Sequence, residues 1–128
     1  MKASLWVERR VVLRAHDEAL AAHGGAAGVR DMGLLESALA RPQNLFAYGE
    51  ADVAALAAAY AFGVVRNHPF VDGNKRTAFM TAVFFLELNG HRFIASEVDA
   101  TLSTLALAAN EIGEAEFAAW LRENVQKR

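Results

Sequence analysis

Apolar residues recur at three- and four-residue spacing along almost the whole chain, and runs that alternate apolar and polar β-branched residues are missing, so the pattern predicts helices nearly throughout. A first helix is expected over about 5–23, with Leu13 and Leu20 on one face and Gly24-Gly25 as its left-handed stop; 24–28 reads as loop. Asp31 suits the N-cap of a second helix through Leu34, Leu35, Ala38 and Leu39, and Pro42 is expected to end it, because a proline pushes the preceding residue out of the helical region. A connector over 43–50 leads to Asp52, the expected cap of a third helix over 53–66, so rich in alanine and large apolar residues that it belongs at the centre of a bundle. A fourth, almost as apolar, follows over about 74–89 and closes at Gly90. Ser96 with Asp99 three residues on resembles a capping box for a fifth helix to about 110, and a sixth over about 114–126 turns Phe117, Trp120 and Leu121 back onto the others. The expected fold is an all-α, single-domain bundle of about six helices spanning 1–128, with no internal repeat and no dividing linker.

At 128 residues and 54% hydrophobic content the chain suits one core. Its net charge of -2 provides no general basic field, so direct nucleic-acid binding is not expected and any cationic function has to be local. With no cysteine there is neither a disulfide framework nor a thiolate metal site, which fits a reducing compartment. Met1-Lys2-Ala3-Ser4 runs into Glu8, Arg9 and Arg10 before any long apolar stretch and does not read as a signal peptide. The apolar runs 53–65 and 77–88 are shorter than the roughly 20 residues of a membrane span. The expectation is a soluble cytoplasmic protein with no membrane partner.

One polar cluster is flanked on both sides by core helix: Asn67-His68-Pro69-Phe70-Val71-Asp72-Gly73-Asn74-Lys75-Arg76. A helix that starts near Gly73-Asn74 points unpaired amides and the positive end of its dipole at this loop, which favours an anion there. Lys75 and Arg76 place two cations in the same first turn, an unfavourable arrangement unless an anion offsets it; a phosphate chain would do so. Asp72 supplies a hard oxygen of the kind magnesium uses while bridging nucleotide phosphates. His68, across the turn, has the near-neutral basicity that suits taking the proton of an attacking hydroxyl, and Phe70 is expected to anchor the loop in the core. Together these residues point to phosphoryl-type transfer, in which positioning and electrostatics do most of the catalysis. Asp72 and Asn74 are also ordinary turn and cap residues, and His68 before proline could cap a helix; these roles are compatible with the chemical ones.

The run His68-Pro69-Phe70-Val71-Asp72-Gly73-Asn74-Lys75-Arg76 resembles the motif of the Fic family, H-P-F-x-D/E-G-N-G/K-R, and is similar above all to its death-on-curing (Doc) branch of toxin kinases, where lysine stands as Lys75 does. His16-Asp17, Gly24-Gly25, Glu36-Ser37-Ala38, Tyr48 and the run from Arg76-Thr77-Ala78 to Leu88-Asn89-Gly90 look like that branch as well. The resemblance implies that His68 is the catalytic base, Asp72 the magnesium carboxylate, Gly73 and Asn74 anion-hole residues, and Lys75 and Arg76 phosphate contacts. Fic proteins that transfer AMP carry a second arginine three residues after the first; Phe79 stands there, and Lys75 fills their glycine position. Both departures favour γ-phosphate transfer over AMP transfer, which stays as the alternative; a nucleotide- or partner-binding Fic-fold module without turnover is the alternative of another class. The resemblance further implies ATP and Mg2+, a threonine of elongation factor Tu as target, arrested translation, and a neutralising antitoxin whose C-terminal segment docks as a helix in a groove. The self-inhibitory pattern S/T-x-x-x-E-G/N is approached by Ser4-Leu5-Trp6-Val7-Glu8-Arg9 but fails at its last position, so control by a partner chain is expected.

The remaining candidates read more plainly. His16-Asp17, with His23 two turns on, shares a helix face but no further metal-ligand set, so packing is the expected role of His16, with shaping of the catalytic groove as the alternative. Arg66 is either a helix C-terminal cation or a further nucleotide phosphate contact. His91 is expected in a loop, Trp6 and Trp120 as packing or interface anchors, and Tyr48 is open. Lys75-Arg76-Thr77 lacks the preceding glycine and strand of a phosphate-binding P-loop.

Overall fold

The computed structural model describes residues 5–128 and places six helices around one core: α1 (Arg9–His23), α2 (Met32–Ala47), α3 (Val53–Asn67), α4 (Asn74–Leu88), α5 (Glu97–Ala108) and α6 (Glu114–Glu123). Three of the helix starts follow from local chemistry. Asp31 accepts a hydrogen bond from the Leu34 amide, Asp52 from that of Ala55 and Ser96 from that of Asp99, each taking up one of the amides a helix start leaves without a partner. α3 runs through the centre, with Leu56 to Ala61 buried without a break, and packs against α2, α4 and α6. Among the described residues no helix is long and apolar enough to cross a membrane.

Four details depart from the sequence pattern. Residues 5–8 are extended and α1 begins at Arg9. The extended segment is strapped down: Asn89 exchanges two hydrogen bonds of 2.9 Å with the Leu5 backbone, the Val7 amide donates to the buried Tyr60 hydroxyl at 3.0 Å, and Trp6 stacks on Phe85. Pro42 lies inside α2 and does not end it. The ring is buried, and the helix packs so tightly on α3 that a Cβ added to Gly63 would come within 3.1 Å of Ala38, four residues before the proline; tertiary packing here outweighs the roughly 3 kcal/mol that an interior proline costs. His91–Phe93 (β1) and Val125–Lys127 (β2) form a small antiparallel sheet, so α6 stops at Glu123 and His91 belongs to a strand. The pairs His91 with Lys127 and Phe93 with Val125 bracket three residues, too few for a period-two pattern to show. Trp120 meets Phe93 edge-on and lies against Phe117, and so joins this sheet to the core, while Tyr48 is 91% exposed.

Candidate active site

α3 ends and α4 begins on either side of His68–Gly73. His68 is the C-cap of α3 in the left-handed region (φ 49, ψ 55), a conformation uncommon for any residue but glycine, and it redirects the chain sharply. Arg30 holds this turn: its Nε donates to the His68 carbonyl at 2.8 Å and its Nη2 to that of Asn67 at 2.9 Å. The backbone beside Arg30 runs antiparallel to the motif, with Val29 bridging Phe70, the Val71 amide donating to Gly28, and the Arg30 and Asp31 amides both donating to Pro69. The 24–31 loop is therefore a brace for the motif. No local pattern marks Arg30 for this task, because its partners lie nearly forty residues away in the chain.

Phe70 is fully buried, as its apolar ring requires, and Asn74 locks it there. The Asn74 side chain accepts from the Phe70 amide and donates to the Phe70 carbonyl, both at 2.9 Å, which closes the turn upon itself. Expected as an anion-hole residue, Asn74 thus spends its side chain on the loop; what it can offer an anion is its backbone amide. Gly73, at φ 78, is the N-cap of α4 and has no side chain to cap with. Among the described residues the amides of Asn74, Lys75 and Arg76 have no acceptor, the next amide, of Thr77, returning to the Gly73 carbonyl.

His68, Asp72, Gly73, Asn74, Lys75 and Arg76 line one cleft of about 450 Å³, with Val65 and Ala108 as its apolar lining. The imidazole of His68 makes no hydrogen bond to the described protein and is exposed to this cleft. Neither Lys75 nor Arg76 is paired with a carboxylate among the described residues, so two uncompensated cations and three free amides face the same space. Both cations also line a neighbouring groove of about 510 Å³ between α4 and α5, whose walls include Phe79, Met80 and Leu105. Phe79 packs edge-on against Phe93, so an apolar ring occupies the place where the AMP-transferring pattern has its second arginine. Arg66 is not brought into the cleft: its guanidinium lies over the Phe62 ring, which Arg41 also covers.

Asp72 accepts from the Gly73 amide through Oδ1 at 2.8 Å and from the Ala26 amide through Oδ2 at 3.3 Å. No three metal-ligating side chains cluster among the described residues, and a single carboxylate does not hold a divalent cation by itself. Its hard oxygen is of the type that would suit magnesium beside a bound nucleotide, where Asp72 would be the residue to hold the ion. Gly25 makes room for this carboxylate: at φ +123, a Cβ there would stand 2.8 Å from Asp72 Oδ2 and 2.9 Å from Leu20 Cδ2. Gly25→Ala is expected to push Asp72 off its two amide donors and to cost about 1–3 kcal/mol of stability through the strained backbone. Thermal melts with and without Mg-ATP check this; an unchanged melt and an unchanged nucleotide-induced shift would show that the close approach is not needed.

His16 is buried, and its Nε2 lies 2.7 Å from the Asp72 carbonyl while its ring stacks on Phe70 at 3.9 Å. The burial and the stack on Phe70 are the packing expected of this side chain, and its ring nitrogen meets the motif backbone at Asp72. Asp17 beside it is exposed.

The arrangement has close counterparts in known sequences. A model of the Fic/DOC family matches residues 6–86, from the segment before α1 into the last turn of α4. Over 108 residues, 84% of this chain and 85% of the relative, the sequence is 37% identical to Protein kinase doc of Escherichia phage P1. Over 77 residues, 58% of either chain, it is 48% identical to Toxin Doc of Mycolicibacterium smegmatis. Helices α1 to α3 and the braced loop before α4 lie within the stretch that the family model matches, and this chain belongs to the Fic/Doc family.

Proposed function

We propose that this protein is a toxin-type kinase that transfers the γ-phosphate of ATP to a threonine hydroxyl of a translation factor, with elongation factor Tu the first candidate, and so arrests translation in the cytoplasm. The observation that carries the proposal is the first turn of α4: three amides without acceptors and the unpaired Lys75 and Arg76 share a cleft with a histidine whose ring is free. A terminal phosphate on that turn would accept from the amides, and Lys75 and Arg76 would hold its other oxygens and the phosphates behind it. The α4–α5 groove, reached past the same two cations, offers its apolar wall to the nucleoside. His68 Nε2 or Nδ1 takes the hydroxyl proton as the oxygen bonds to phosphorus and the bond to the ADP oxygen breaks. Magnesium, held through Asp72, would neutralise charge on the phosphates. The names of the relatives, a protein kinase and a toxin, support the same class.

An antitoxin as regulator belongs to the proposal. The nearest approach to a self-inhibitory pattern begins at Ser4, outside the described residues, and its Glu8 pairs with Arg10 at 3.0 Å away from the cleft. The decisive test is intact-protein mass spectrometry of elongation factor Tu after incubation with this protein, ATP and magnesium. A gain of one phosphate supports the kinase; a gain of one AMP moves the chain to AMP transfer; no gain leaves another protein substrate or a module without turnover. Lys75→Gly is expected to slow phosphate transfer by roughly tenfold or more, the loss of one charge-assisted contact, and to admit AMP transfer. Unchanged products and rate in that variant would remove Lys75 as the residue that sets the class.

A further inference from the structure

We infer that His16, on α1 and outside the motif, is a positioning residue that sets the orientation of the Asp72–Gly73 peptide plane; its catalytic consequence rests on the phosphate-transfer reading. One ring touches three motif residues. It stacks on Phe70, lies at van der Waals distance from the place of a Gly73 side chain, and is hydrogen-bonded to the Asp72 carbonyl at 2.7 Å. Because the acceptor is a carbonyl, Nε2 carries the hydrogen, and the opposite tautomer would set two lone pairs against each other.

A trans peptide points its C=O and N–H to opposite sides. Holding the Asp72 carbonyl against α1 therefore turns the Gly73 N–H the other way, where it donates to Asp72 Oδ1 at 2.8 Å. The donor from α1 thus acts on both the proposed magnesium carboxylate, which the Ala26 amide also holds, and the cap of α4. Gly73 has no Cβ to resist rotation of that plane, and on the carbonyl side the His16 donor is the bond that opposes a flip, as the Gly73 amide's bond to Asp72 Oδ1 does on the other. A flipped plane would release Asp72 Oδ1 and turn the Asp72 carbonyl dipole away from α1, toward the space a phosphate would use. Burial of the ring to 2% exposure, with its donor aimed at a single carbonyl, matches this task better than a packing role that a phenylalanine could fill.

The test compares His16→Phe, which keeps the stacked ring and loses the donor, with His16→Gln, whose amide nitrogen can reach the place of Nε2. Two readouts are used: the Gly73 amide resonance in the nucleotide-free protein and the Kd for Mg-ATP by calorimetry. In His16→Phe the Gly73 resonance is expected to move and the Kd to rise about tenfold, the scale of one lost hydrogen bond, with the fold intact by circular dichroism; His16→Gln is expected to restore both. If His16→Phe does not fold, His16→Met, which also fills the space without a donor, takes its place. A donor-less variant with both readouts unchanged, or a glutamine variant as impaired as phenylalanine, overturns the inference. Failure of the wild-type protein to bind Mg-ATP would count against the phosphate-transfer reading alone, since the Gly73 resonance still decides the role of His16.

Discussion

His68→Ala is expected to lower phosphate transfer by roughly 10²- to 10⁴-fold, the usual contribution of a positioned general base, while nucleotide binding stays within a few-fold of the wild type. The separation follows from where the side chain sits. Its ring has no hydrogen bond to the described protein, so removal leaves no buried group without a partner. What holds the turn is the backbone: the His68 amide donates to Val64 and its carbonyl accepts from Arg30, and an alanine keeps both. Alanine does bear the left-handed φ less well than histidine, a cost of about 1 kcal/mol that leaves a bundle of this size folded. Single-turnover phosphate transfer, read beside a calorimetric Kd, checks the prediction. A variant that transfers at the wild-type rate would remove His68 as the base and leave proton removal to water or to the nucleotide.

Why some of this was legible and some was not is a matter of range. Asp31, Asp52 and Ser96 cap helices through bonds that span three residues, so residue type and position were enough to place them. That the residues from His68 to Arg76 share one site could be read because the start of α4, its glycine and its cations are contiguous. Pro42 misled because a local rule met a tertiary contact: α2 continues since its buried face is seated on α3 at Gly63. The β1–β2 pair escaped because each strand has three residues and its partner is more than thirty positions away. Arg30 and Gly25 act on the motif from a loop whose composition says only that it turns. Arg66 shows the opposite case, in which proximity in sequence to the motif does not bring a side chain into the cleft, because the last turn of α3 directs it over Phe62.

The same distinction between local sequence and assembled structure separates His68 from Asn74, whose loss is expected to act on fold and function together. In Asn74→Ala the Phe70 amide and carbonyl lose their partners within a turn whose phenylalanine is fully buried. Each orphaned group costs about 1–3 kcal/mol, so a total of about 3 kcal/mol and a fall in Tm of roughly 10 °C are expected. Transfer should fall as far as in His68→Ala, but now with weakened Mg-ATP binding, because the turn that carries Asp72 and the free amides of α4 is no longer closed. Asn74→Asp sharpens the comparison: the carboxylate can still accept from the Phe70 amide but has no donor for the carbonyl, and it adds negative charge where a phosphate is proposed to bind. It should recover part of the lost Tm and none of the nucleotide affinity. If both variants instead melted like the wild type while losing binding, the side chain of Asn74 would be a phosphate contact, and the loop would have to be closed mainly by the Arg30 brace and the His16 bond from α1.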